Sequence, residues 1–172
     1  GLILAAAAAT VVIAYGYLRA WGGMPEEYYV LLLLATIGSQ VLVASTHLIS
    51  FFIGLEILSV SLYGLTAYPR TRLVSLEAGV KYLVLAATSA AFLLFGMALV
   101  YAELGTMELG EIIRRVTTQP AGLVFSGGLA LLVVGIGFKL GLVPFHLWVA
   151  DVYQGAPAPT TAFIATVSKG AI

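Results

Sequence analysis

The 172-residue chain contains no cysteine, only two histidines and few charges: 9% of its residues are Asp, Glu, Lys or Arg. Without cysteine there is no disulfide and no thiolate-held iron–sulfur cluster. Two histidines leave little to hold a haem or a catalytic metal, and neither zinc-ligand spacing nor a cysteine nucleophile is present. Eight basic and eight acidic residues cancel, so there is no electrostatic footprint for nucleic acid. A soluble domain devotes about a quarter of its residues to charge. This chain could not cover a water-facing surface, and 61% of its residues are hydrophobic. The composition is that of a membrane protein. The chain opens on Gly1 and closes on Ile172 inside an apolar stretch, so an internal piece of a longer polypeptide is expected. Signal-peptide reasoning does not apply to such a piece.

A crossing helix needs about 20 mostly apolar residues. The first candidate is 2–18, closed by Arg19, Trp21, Gly22 and Gly23, and the second is 28–46, with Tyr28 and Tyr29 as interfacial anchors. The third, 48–66, ends at Ala67-Tyr68-Pro69-Arg70-Thr71-Arg72, and the fourth, 75–101, is long enough to tilt. Residues 102–120 carry Glu103, Glu108, Glu111, Arg114 and Arg115 and read as a polar connection at or outside the interface. A fifth span, 121–143, is interrupted around Gly141–Pro144, and a sixth, 157–172, is incomplete. The expected fold is a single all-α polytopic transmembrane helix bundle over 1–172, with one discontinuous helix. Arg19, Arg70 and Arg72 then share a side, and Lys/Arg counting narrowly makes that side cytoplasmic.

Four charged residues fall inside apolar runs: Glu56, Lys81, Lys139 and Lys169. Each costs about 2.5–3.5 kcal/mol at mid-bilayer unless paired or hydrated. Snorkelling to the interface is the ordinary escape. Glu56 is too deep in its helix for that. Lys81 lies about as far after the Pro69 turn as Glu56 lies before it, so the two sit at similar depth and can pair. Glu77, one turn away, competes for the same lysine.

Lys139 stands in Phe138-Lys139-Leu140-Gly141-Leu142-Val143-Pro144-Phe145-His146-Leu147-Trp148. Gly137 and Gly141 have the small-residue spacing that lets helices approach closely. Pro144 removes a donor and clashes with the preceding turn, freeing carbonyls near Leu140 and Gly141. In a bilayer such a break survives only inside protein or along a hydrated cavity. A lysine, a broken helix and His146 together are what a hydrated pathway requires; a proline kink with an interfacial lysine is the plainer alternative. Lys169 follows Ser168 and has Thr160, Thr161 and Thr166 nearby, whose hydroxyls either hold water or bond back to their own helix. A dehydrated lysine has its charged form disfavoured, and a nearby glutamate opposes this. Such a pair, loosened and tightened in turn, can load and release a proton. His47 at a helix junction reads as structural and Asp151 as interfacial. Gly135-Ile136-Gly137-Phe138-Lys139-Leu140-Gly141 lacks the spacing and setting of a dinucleotide fingerprint.

These residues also carry a resemblance. Gly54-Leu55-Glu56-Ile57-Leu58-Ser59, Ser75 through Tyr82, Phe138 through Trp148, and Asp151-Val152-Tyr153-Gln154-Gly155-Ala156-Pro157 through Phe163, ending in Ser168-Lys169, resemble subunit N of proton-pumping NADH:quinone oxidoreductase (respiratory complex I). That is an antiporter-like family related to Mrp-type cation/proton antiporters. The likeness runs from about residue 48 to the end; the first two helices match mainly in hydropathy. By resemblance, Glu56 is similar to the family's glutamate on helix five, Lys81 to the helix-six lysine of subunit N, Lys139 to the lysine on discontinuous helix seven and Lys169 to that on helix eight. Related antiporter subunits carry a histidine–alanine element after the broken helix; Asp-Val-Tyr-Gln-Gly-Ala-Pro here favours subunit N. The family has two inverted repeats, so this chain holds at most one half-channel.

The resemblance implies proton translocation, with no redox cofactor in this chain. Flavin, iron–sulfur clusters and quinone belong to partner subunits, the partners are other membrane subunits and the lipid bilayer, and the location is a bacterial inner membrane or an equivalent energy-transducing one. An Mrp-type sodium/proton antiporter subunit and a non-pumping membrane scaffold are the alternatives.

Overall fold

The computed structural model describes residues 1–21, 25–118 and 122–172. The turn assigned to Gly22 and Gly23, and the start of the fifth span at residue 121, lie outside the described residues. The helices are α1 Leu2–Trp21, α2 Pro25–Ala44, α3 Leu48–Thr66, α4 Leu73–Leu104, α5 Leu109–Thr118, α6 Leu123–Leu140, α7 Leu147–Gly155 and α8 Ala158–Phe163. A π-helical turn, Ile164–Ser168, joins α8 to α9, Lys169–Ala171. Five helices (α1, α2, α3, α4 and α6) are long and apolar enough to cross a membrane. Their outward faces present large apolar side chains, Val60, Val84, Phe95 and Val133 among them, as lipid contact requires. The protein is an integral membrane protein.

The connections alternate sides as crossing helices demand. Backbone bonds from Leu48 N–H to the Met107 carbonyl (2.8 Å) and from Leu109 N–H to the Thr46 carbonyl (2.9 Å) join the α2–α3 and α4–α5 connections. On the opposite side Arg70 reaches Glu27 at 2.9 Å. His47 is structural: its Nδ1 accepts from Ile49 N–H at 3.2 Å, capping α3. The 102–120 connection differs from the expected polar loop, because it contains α5. Leu109, Ile112 and Val116 recur at helical spacing and pack against the core, while the opposite face is charged.

Glu103 ties the end of α4 to the start of α6, accepting from Gly122 N–H at 2.8 Å and Phe125 N–H at 2.5 Å. Farther along, α4 and α6 cross closely enough that a Cβ on Gly96 would stand 2.8 Å from the Gly128 carbonyl. That crossing aims the far end of α6 at α3.

α6 stops at Leu140 and α7 starts at Leu147. Pro144 was expected to break the ladder, but the helix has already ended before it. Gly141 takes the left-handed conformation, φ 69°, which a Cβ disfavours. Its N–H donates to the Phe138 carbonyl at 3.0 Å, and Leu142 N–H donates to the Gly137 carbonyl at 2.8 Å. This is a Schellman closure. The Trp148 indole N–H adds a 3.0 Å bond to the Phe138 carbonyl, so a carbonyl at the break is satisfied by a side chain from the far segment. Pro144, after a cis peptide, carries the chain on to α7.

Candidate functional site

Lys139 sits in the last turn of α6, where the negative end of the helix dipole favours a cation. It is 6% exposed and is the buried cation of the described residues. Its Nζ donates to the Ser59 hydroxyl at 2.6 Å and lies 3.7 Å from Glu56 Oε1. Glu56 and Ser59 are one turn apart on α3, so one face of that helix meets the ammonium. Glu56 Oε1 is buried without a hydrogen-bond partner, although the carboxylate as a whole keeps 30% of its side-chain surface open. The pair is therefore an attraction across a gap, not a hydrogen-bonded bridge.

Aromatic rings wall this cluster. Tyr63 meets Tyr82 edge-on at 4.9 Å, Tyr82 stacks on Trp148 at 4.8 Å, and Trp148 stacks on Phe138 at 5.6 Å. Four elements (α3, α4, α7 and α6) contribute one ring each, which fixes the segment after the break against those before it.

Lys169 comes to the break from the other end of the chain. A Cβ on Gly141 would lie 3.9 Å from its Nζ. The ammonium stands 5.6 Å over the Tyr153 ring, within cation–π range. It is half-buried, one residue past the π turn.

The remaining expected residues lie elsewhere. Lys81 does not pair with Glu56: it reaches Glu77 at 2.7 Å and Asp151 at 3.0 Å, with nearly half its side-chain surface exposed. Counting residues from the turn does not give direction around the helix, and Lys81 turns towards α7. Asp151, read from sequence as interfacial, is thus an ion-pair partner on α7. His146, at the N-cap of α7, is exposed and makes no capping bond. Sequence reasoning missed Ser59; its position three residues after Glu56, on the same helix face, was the available signal. Among the described residues no group of three or more His, Asp or Glu is placed to hold a metal.

Residues 45–172 match the family described as NADH:quinone oxidoreductase/Mrp antiporter, TM. The chain is 55% identical to NADH-quinone oxidoreductase subunit N of Nitrosospira multiformis, covering all of this chain (100%) and 34% of that one. It is 49% identical to NADH-quinone oxidoreductase subunit N of Ectopseudomonas mendocina, over 99% of this chain and 35% of the relative. Among solved structures, a chain of respiratory complex I from Thermus thermophilus with bound aureothin superposes with a TM-score of 0.84 at 39% identity, covering 99% of this chain and 36% of that one. The chain spans about a third of the length of the curated relatives it matches.

Proposed function

We propose, since the chain belongs to the NADH:quinone oxidoreductase/Mrp antiporter transmembrane family, that it is an antiporter-like part of a proton-translocating subunit of NADH:quinone oxidoreductase. It works in an energy-transducing membrane such as a bacterial inner membrane, beside other membrane subunits of the complex. Electron transfer takes place in partner subunits that hold the flavin, iron–sulfur clusters and quinone. This chain does no redox chemistry; it moves protons between intramembrane charges.

The observation that carries this reading is the buried Lys139 at the helix break, 3.7 Å from Glu56. A buried lysine keeps its proton while a carboxylate is close and gives it up when the carboxylate moves away. The pair is already loose, so a small displacement of α6 or α3 changes the balance. Lys169, standing against Gly141, is the next acceptor along the chain of charges. Lys81 and His146, both at the surface of this chain, belong to the polar route that leads to the buried pair.

The test is NADH-driven acidification of inverted membrane vesicles carrying the whole complex, with Glu56→Gln and Lys139→Ala in the full-length subunit. Both variants should assemble and lose most pumping. Unchanged pumping in both would leave a membrane scaffold as the reading. Co-purification with a flavin and iron–sulfur assembly distinguishes the oxidoreductase from a sodium/proton antiporter, which would lack one.

A further inference from the structure

Several hydroxyls in this chain bond back to the carbonyl four residues earlier: Thr36 to Leu32, Ser39 to Ala35, Ser61 to Ile57. Ser59 does so too, donating to Leu55 at 2.6 Å, but it alone of these also receives the Lys139 ammonium, at 2.6 Å. It is 2% exposed, so no bulk water competes for either bond. The nearest Glu56 oxygen meanwhile has no hydrogen bond at all. A hydroxyl has one donor and two acceptor sites. With its donor committed to Leu55, Ser59 offers only lone pairs to Lys139, so it serves the protonated amine well.

We infer that Ser59 is a positioning residue for proton exchange at Lys139: its hydroxyl takes the ammonium's hydrogen bond and keeps Nζ beyond hydrogen-bond distance of Glu56. Without that oxygen, Nζ either closes on Glu56 into a tight pair or is left with an unsatisfied proton. Either outcome changes how readily the lysine exchanges its proton. The role rests on the proposed translocation through Lys139. The titratable groups around the cluster are Glu56 and Tyr63 from α3, Tyr82 from α4, and Tyr153 and Lys169 from the segment after the break.

The experiment is NADH-driven proton pumping by the whole complex in membrane vesicles, measured from pH 6 to 9 and normalised to assembled complex. Ser59→Ala should lower pumping about tenfold, the size of one hydrogen bond to a charged group, and should displace the pH profile. Ser59→Thr, which keeps the hydroxyl, should restore both. Ser61→Ala removes an equivalent back-bond two residues away and should leave the profile in place. If Ser59→Ala does not assemble, Ser59→Cys, close in size and a poor acceptor, takes its place with the same expectation. A normal rate and profile in the hydroxyl-free variant, or a loss confined to the amount of assembled complex, would overturn the role. Lys139→Ala is run alongside: if it pumps normally, the translocation reading itself fails, whatever Ser59 does.

Discussion

Lys81 on α4 and Asp151 on α7 lie 3.0 Å apart, tying the short helix after the break to a helix that does not carry the buried pair. Glu77 holds the same lysine from the previous turn, at 2.7 Å. Both carboxylates hold the one ammonium. Lys81 keeps one partner if the other is lost. Glu77→Gln and Asp151→Asn should each leave thermal stability of the detergent-solubilised complex nearly unchanged. The double variant, which strands Lys81, should lose more than the sum of the two. Strict additivity would show that the lysine does not bridge.

Lys139→Arg separates charge from proton carriage. Arginine retains the positive charge but is effectively never deprotonated. The variant should assemble, preserve the attraction to Glu56 and fail to pump, as Lys139→Ala also should. The readout is the pH gradient formed per NADH oxidised. A lysine that merely balanced Glu56 would be replaced well by arginine, and only alanine would fail.

Gly141→Ala should be among the most damaging single-methyl changes in the chain. The left-handed backbone costs a residue with a Cβ about 1–2 kcal/mol. The new methyl would also stand 2.6 Å from Val149 Cγ2, so the turn must shift. Assembled complex per cell should fall, and Gly110→Ala, in open space on α5, should serve as a neutral comparison. Equal yields of the two variants would contradict the closure described at Gly141.

Glu111 gives a pH dependence whose sign follows from its neighbours. Arg114 and Arg115 donate to its carboxylate at 2.6 and 2.7 Å, holding its pKa down at about 2. A carboxylate lowered on folding adds stability above its ordinary range, and that contribution disappears as pH falls through the folded value. Resistance of α5 to pepsin should therefore be fullest above about pH 4.5, decline progressively below it and lose this contribution as pH approaches 2. In Glu111→Gln the resistance should be lower and should not vary with pH over that window.

Much of the fold was legible because lipid imposes so few solutions. The nineteen mostly apolar residues between His47 and Ala67 can only be a spanning helix, and α3 occupies Leu48–Thr66 as read. The charges inside the spans were legible for the same reason. What escaped was azimuth and cooperation at a distance. Depth counting brought Lys81 level with Glu56, but only packing decides that its side chain turns to α7. The break at Gly141–Pro144 was visible, but its cause was read as the proline's missing donor, where the left-handed glycine ends the helix first. The spacing of Leu109, Ile112 and Val116 marked α5, but its charges made the stretch look like a loop. Trp148 reaching back to Phe138 carried no local signal.

The π turn at Ile164–Ser168 sets the aim of Lys169. A π turn holds one residue more than the α turn it replaces. Each helical residue rotates the chain by about 100°. Lys169 thus faces Tyr153 and Gly141 by virtue of an insertion that the helix absorbed upstream of it. Deleting one residue from 164–168 would give a more regular helix with better-aligned backbone bonds, and it would swing the lysine about a quarter-turn off target. At this point in the chain, regularity of the helix and the placement of the charge are opposed, and a change that improves the one undoes the other.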